Sequence, residues 1–192
     1  MRFFQQIASG IDPLPLLHQL QTQPELWNAN RLRTERQGSP HAQADDILLR
    51  FNSYDPGIDD FHDTVFNSLD CVNYPAAAQL SHAIPIIFGL MARVHGERLG
   101  RVVITRLPPG GAITAHADEG APAAYYERYQ LSLQAQDGVV FYAGDERVQM
   151  EPGSIWWFDN RAVHGVNNHS QEDRIAMVID IRTFRVCGGT DG

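Results

Sequence analysis

The sequence predicts a mainly β domain, a sandwich or jelly roll with helices packed against one sheet. Three observations carry that expectation. The second half breaks into short apolar-alternating runs spaced roughly ten residues apart. Gly and Pro punctuate those runs. Helical periodicity is confined to the first half, so the helices are available to cover one face.

Taken in order, "DPLPLLHQLQTQ" reads as a helix opened by Asp12, with Pro13 at its first position. "DDILLRF", residues 45–51, reads as a short strand, and "NSYDPGIDDFHD" as a loop. "LSHAIPIIFGLMARVHG" reads as a buried helix capped by Ser81, with Pro85 in its first turn and Gly96 as its stop. "RVVITRL" alternates at period two and ends in the turn "PPGG". "ERYQLSLQAQ" and "VVFYAG" are joined by Asp137-Gly138, which predicts a hairpin. "FYAGDE" reads as another hairpin turn. "RVQM" and "IWWF" flank a turn at Pro152-Gly153, and "RIAMVIDIRTF" is a long final strand. The expected organisation is one domain over 1–186. Residues 1–100 form a helical and mixed support, and 101–186 a β core carrying the site. Residues 187–192, "GGTDG" and the preceding Cys187, form a flexible tail.

Composition narrows the function. The chain has 192 residues and a net charge of −8, which argues against an electrostatic nucleic-acid binder. Arg31, Arg33 and Arg36 form one basic cluster, read as a solvated surface. Two cysteines, Cys71 and Cys187, build neither a disulfide framework nor a Cys-type zinc site. The start "MRFFQQIASGIDPLPLL" lacks the basic and apolar regions of a signal peptide, and no run is long enough for a membrane span. A cytoplasmic setting follows as the expectation.

The chemistry-bearing stretch is "PPGGAITAHADEG". Alternate residues of a strand share a face, so His116 and Asp118 can aim an imidazole and a carboxylate at one point. His164, in "WWFDNRAVHGVNN", can supply a third ligand from a neighbouring strand. Two histidines and one carboxylate on one face of an octahedral metal, with the opposite face open, is the ligand set of non-haem Fe(II) oxygenases. An HxD pair on its own is equally a solvated loop pair. Arg174 adds weight, because it opens an otherwise apolar strand and is costly to bury unpaired. Its partner is Asp173, Asp180, water, or the distal carboxylate of 2-oxoglutarate, which is a bidentate match.

From "RVVITRLPPGGAITAHAD" through "RYQLSLQ", "DGVVFYAGDERVQMEPGSIWWFDNRAVHGVNN" and "DRIAMVIDI", residues 101–182, the chain resembles the aspartyl/asparaginyl β-hydroxylase family of 2-oxoglutarate oxygenases. It is most similar to the HxD-containing bacterial branch, which includes free-proline hydroxylases. The resemblance implies a double-stranded β-helix, a cupin-like jelly-roll barrel. It implies Fe(II) held by His116, Asp118 and His164, with 2-oxoglutarate and O2 as co-substrates. Arg174 matches the arginine that anchors the far carboxylate of 2-oxoglutarate. Arg128 matches a family arginine placed to meet a co-substrate or substrate carboxylate. Gln130 stands where many members have histidine, and can still donate a hydrogen bond to a carboxylate. The enzyme that names the family lacks the triad carboxylate, so its protein Asp or Asn substrate is not carried over. Asp118 also sets the chain apart from related halogenases, which leave that position empty for a halide.

The implied activity is hydroxylation of an amino acid, a peptide or protein residue, or a related small molecule. The competing reading is a cupin-like barrel that binds a metal or ligand without oxygenase activity; the dense His-x-His ligand set of that class is missing. Trp156 and Trp157 face opposite sides of the sheet, one of them in the core. Tyr125 and Tyr126 are candidates to line a substrate pocket. His41, in "RQGSPHAQADD", is either part of an ordinary connection or part of a loop folded over the barrel mouth. His18, His95 and His169 read as surface or packing residues.

Overall fold

The final strand explains the architecture. In "RIAMVIDI" the odd positions Ile175, Met177, Ile179 and Ile181 fall on one face, and Arg174, Ala176, Val178 and Asp180 on the other. In the computed structural model, which describes residues 1–35, 37–54 and 64–184, the apolar face packs on helices and the mixed face lines a barrel.

The barrel consists of eight strands: β4 (Gly96–Leu107), β5 (Ala112–His116), β6 (Glu127–Gln134), β7 (Val139–Ala143), β8 (Glu146–Val148), β9 (Ile155–Phe158), β10 (His164–Asn168) and β11 (Arg174–Thr183). The larger sheet runs β9-β6-β11-β4 and the smaller β5-β10-β7-β8, all pairs antiparallel. Every connection from β4 to β11 crosses between sheets, apart from the β7–β8 hairpin. That winding is a double-stranded β-helix, the expected jelly roll. Three further strands widen the larger sheet. β1 (Phe4–Ala8) pairs with β9; β2 (Asp45–Asn52) pairs with β4, and β3 (Cys71–Asn73) with β2.

Helices α1 (Leu14–Thr22) and α4 (Ala83–Arg93) cover the outer face of the larger sheet. Leu16, Leu20, Ile87 and Leu90 meet Val102, Ile104, Leu131, Met177 and Ile179 in the principal core. The remaining helices are short: α2 (Thr64–Asn67), α3 (Ala76–Gln79) and α5 (Gly120–Tyr125). A second core, inside the barrel, gathers Phe4, Leu107, Phe141, Phe158 and Val166. Among the described residues, no helix is long and apolar enough to cross a membrane.

Several local expectations change. Asp137-Gly138 does form a tight turn, with Gly138 at φ 102° and Val139 N–H donating to the Gln136 carbonyl at 3.2 Å. The strands it joins do not pair: β6 lies in the larger sheet and β7 in the smaller. The turn chemistry fixed the reversal but not the partner, and the chain uses it as a corner between sheets. Pro152-Gly153 serves the same purpose between β8 and β9, whereas "FYAGDE" is the expected hairpin. Ser81 does not cap α4; its hydroxyl accepts from Gln19 Nε2 at 3.2 Å, and the residue before the helix is His82. The helix ends at Arg93, and His95 rather than glycine takes the left-handed conformation, φ 52°, as Gly96 opens β4. A side chain at Gly96 would meet Ile181 Cγ2 at 2.7 Å, so the glycine is needed for close packing instead. Arg33 is not a solvated cation. It turns inward and forks onto buried Asp46, at 2.7 and 2.9 Å, while Arg31 stays exposed against Glu35. Arg36, most of the loop at 52–63 and the tail at 187–192 lie outside the described residues.

Candidate metal centre

β5 and β10 are neighbours, and their register sets His116 directly opposite His164. The imidazole centroids lie 4.3 Å apart. Asp118 sits just past the end of β5, where its N–H donates to the Asn160 carbonyl at 2.8 Å. Gly120, at φ 81°, turns the chain into α5; a Cβ there would meet Asn67 Oδ1 at 2.6 Å. The result brings one ligand atom each from His116, Asp118 and His164 within 4.8 Å of one another.

Hydrogen bonding fixes what each residue presents. His116 Nδ1 lies 2.7 Å from the Thr114 carbonyl, and His164 Nδ1 lies 3.0 Å from the Ala162 carbonyl. A carbonyl only accepts, so both Nδ1 atoms carry a proton, and in the neutral ring Nε2 is then the atom that holds the lone pair. That is the tautomer a metal ligand needs, set by the group behind it. His116 Nε2 is buried and has no hydrogen-bond partner. Burial pulls the His164 pKa down to about 4 against the opposing attraction of Asp118, which keeps this ring neutral. For Asp118, burial pushes the pKa up. The charge of Arg128, with His164, the Asn160 amide and His116, outweighs it and holds the carboxyl below its ordinary value. Its Oδ2 accepts from Asn160 Nδ2 at 2.9 Å and from Arg128. Two imine lone pairs and an ionised carboxylate therefore converge on one point, a donor set that fits a divalent transition metal.

Arg128 is the hinge of this arrangement. It extends from β6, forks onto Asp180 at 2.7 and 2.9 Å, and reaches Asp118 with Nη1. Of its five N–H donors, the chain's own carboxylates engage three. Burial opposes its charge, but the two carboxylates prevail and raise its pKa.

Arg174 lies deeper. Only 3% of its surface is exposed, and it forms no hydrogen bond or ion pair with any described residue; Nη1 is sealed and unpartnered. Asp180 is taken by Arg128, and Asp173 lies nearest Arg106, at 3.8 Å. Burial, with some repulsion from Arg33, pulls the Arg174 pKa down to about 10. Gln130, Ser132 and Met150 line the same small cavity, and Gln130 Nε2 contacts Met150 Sδ at 3.0 Å. Thr105 Oγ1, also on the inner face, is buried without a partner. These orphaned donors suit an absent ligand rich in carboxylate oxygens.

A larger cavity of about 460 Å³ is walled by His116 and Asp118. His41 is one of its walls, so the 38–41 loop does fold over the barrel mouth; its ring centroid is 5.2 Å from that of His116. Arg33, Asn67 and Arg101 also line it. The sequence reading missed these three. Tyr125, Tyr126 and Trp156 do not line it. Tyr126 donates to the Leu69 carbonyl, Arg182 stacks on Tyr125, and Trp156 packs against the core inside the barrel.

The fold recurs in solved structures. A 2OG-Fe(II) oxygenase family protein from Burkholderia pseudomallei is 15% identical with a TM-score of 0.52, covering 79% of this chain and 74% of its own. A Pseudomonas putida prolyl-4-hydroxylase is 17% identical with a TM-score of 0.51, covering 95% and 93%. A Trichoplax adhaerens prolyl hydroxylase, solved with a peptide fragment of hypoxia inducible factor, is 14% identical with a TM-score of 0.53, covering 93% and 83%. Among curated proteins, no sequence matches. The family model for aspartyl/asparaginyl β-hydroxylase matches residues 60–183, reaching back well before the β4 strand at which the sequence resemblance began. With the barrel winding and the converged His-Asp-His cluster already in place, that match establishes that the chain belongs to the aspartyl/asparaginyl β-hydroxylase family.

Proposed function

We propose that the protein is an Fe(II)- and 2-oxoglutarate-dependent dioxygenase that hydroxylates an amino acid, a peptide or protein residue, or a related small molecule. One observation carries the reading: ligand atoms of His116, Asp118 and His164 converge on one point, and the inner face of the same barrel carries a buried arginine, Arg174, that has no partner among the described residues. His116, Asp118 and His164 hold the iron. Arg174 receives the far carboxylate of 2-oxoglutarate, with Gln130 beside it. Arg128 acts first through Asp118, keeping it ionised and aimed, and its two remaining N–H groups would be available to a co-substrate carboxylate. Bound iron with 2-oxoglutarate and O2 supplies the oxidation, in which R–H, 2-oxoglutarate and O2 become R–OH, succinate and CO2. The chain positions the reactants and excludes water from the barrel interior. Calorimetric titration of 2-oxoglutarate into anaerobic, Fe(II)-loaded protein tests the reading. Binding is expected with metal, and is expected to be lost in His164→Ala. Wild-type protein that fails to bind 2-oxoglutarate ends it.

A further inference from the structure

Two donors in the large cavity have no task in the metal centre or the Arg174 cavity. The first is Arg101. On β11, Asp180 stands at a register break, with both Gly100 and Arg101 across from it on β4. Arg101 lies over the Phe51 ring at 4.7 Å and donates through Nε and Nη2 to Asn52 Oδ1, at 2.8 and 2.6 Å, and through Nη2 to the Phe66 carbonyl at 2.6 Å. All these acceptors are neutral. Nη1 donates to no described residue. The other guanidinium groups lining the cavity are matched, Arg33 by Asp46 and Arg128 by Asp118 and Asp180. Arg101 forms no ion pair with a described residue, although it lines the same cavity as His116 and Asp118.

The second donor is His41. Its Nε2 lies 3.2 Å from Arg33 Nη1, and a guanidinium can only donate. Nε2 is therefore the acceptor and the proton sits on Nδ1, which is buried without a partner. The loop that walls the cavity beside His116 thus holds a buried N–H without a partner among the described residues.

We propose that Arg101 and His41 are the substrate anchors, that a carboxylate docks on Arg101 Nη1, and that the substrate is a small carboxylic or amino acid. The proposal rests on the oxygenase reading and adds the substrate class. A single unmatched guanidinium, in a cavity also walled by Asp118, Glu119 and Asp180, suits one negative charge better than a phosphate dianion. The cavity volume is that of a small-molecule site. His41 donates to a second acceptor on the substrate and fixes its orientation.

The test titrates a panel of free amino and carboxylic acids, each paired with its primary amide, into anaerobic protein loaded with Fe(II) and 2-oxoglutarate. At least one acid is expected to bind, with its amide about tenfold to a hundredfold weaker, the worth of a charge-assisted hydrogen bond. Arg101→Gln should weaken the acid by the same factor, abolish the acid–amide preference and leave 2-oxoglutarate affinity within about twofold. His41→Ala should weaken the acid while keeping the preference. The wild-type preference needs no variant, so a misfolded Arg101→Gln does not shield the proposal. Acids that bind no better than amides, or no acid binding at all, overturn it. Tighter binding of blocked peptides containing internal Asp or Glu overturns the small-acid assignment. Failure of 2-oxoglutarate itself to bind removes the oxygenase reading instead.

Discussion

Replacing Arg174 with methionine should move stability and co-substrate binding in opposite directions. The guanidinium is 3% exposed, has no hydrogen bond or ion pair among the described residues, and is discharged more easily than usual because burial disfavours its charge. A buried charge without a counter-ion costs several kcal/mol, and a hydrophobic replacement of similar volume recovers part of it, about 1–3 kcal/mol. Methionine keeps most of the aliphatic stem, so packing against Phe141, Val139 and Val166 is largely retained. In a chain of this size the gain corresponds to a rise in melting midpoint of about 2–12 °C for the metal-free protein. The same change removes the anchor for the distal carboxylate, a loss of about 1.5–3 kcal/mol, or roughly tenfold to 150-fold in 2-oxoglutarate affinity. Thermal melts without ligand and calorimetry with Fe(II) present give the two numbers independently. A destabilised Arg174→Met that binds 2-oxoglutarate as tightly as the wild type would refute the assignment and make Arg174 a structural residue.

Other perturbations separate the supporting parts. Arg128→Met leaves Asp180, 2% exposed, and Asp118 without their shared cation, so a destabilisation of about 3–5 kcal/mol is expected in urea denaturation. It should also lift the Asp118 pKa, which proton-detected metal titration at pH 5 would register as weakened binding. Gly165→Ala places a methyl group against the Tyr142 hydroxyl and 2.7 Å from the Ile113 carbonyl, between β10 and β5. It should displace His164 and lower metal affinity more than it lowers the melting temperature. Asp45 offers a pH test. Burial raises its pKa, but Arg106 and Asn28 outweigh this and leave it below the ordinary value. A depressed carboxylate pKa stabilises the fold above the unfolded value and ceases to do so as pH falls through the folded one. Melts between pH 7 and pH 3 should therefore lose less stability in Asp45→Asn than in wild type; identical acid limbs would show that the Arg106 pair contributes nothing.

What was legible in the sequence followed from strand periodicity. Arg174, Ala176, Val178 and Asp180 alternate with four large apolar residues, which is enough to assign an outer face to the helices and an inner face to the barrel. The HxD stretch and His164 could each be placed at a strand end, and the ligand set, rather than the turns, asked that those strands be neighbours. Pairing partners were not legible. Asp137-Gly138 encodes a reversal of direction, and whether the next strand joins the same sheet depends on contacts with β8 and β10 that lie further along. Long-range charge pairing was hidden for the same reason. Arg33 belongs to Asp46, on the far side of the 38–41 loop, and read alone it looks like a surface cation beside Arg31. Arg101 stands first in the alternating run "RVVITRL", and nothing in the sequence reveals that β4 already begins at Gly96. Phe4 could not be assigned to the barrel interior until β1 was seen to pair with β9.

The central claim is oxidation at the His116–Asp118–His164 cluster, and succinate release tests it most directly. Protein reconstituted with Fe(II) and ascorbate, supplied with 2-oxoglutarate and air, is expected to form succinate in step with O2 consumption, faster in the presence of substrate. His164→Ala should fall to the level of free Fe(II). If wild-type protein binds metal yet produces no more succinate than His164→Ala across the acid panel, the barrel binds without oxidising and the account is wrong.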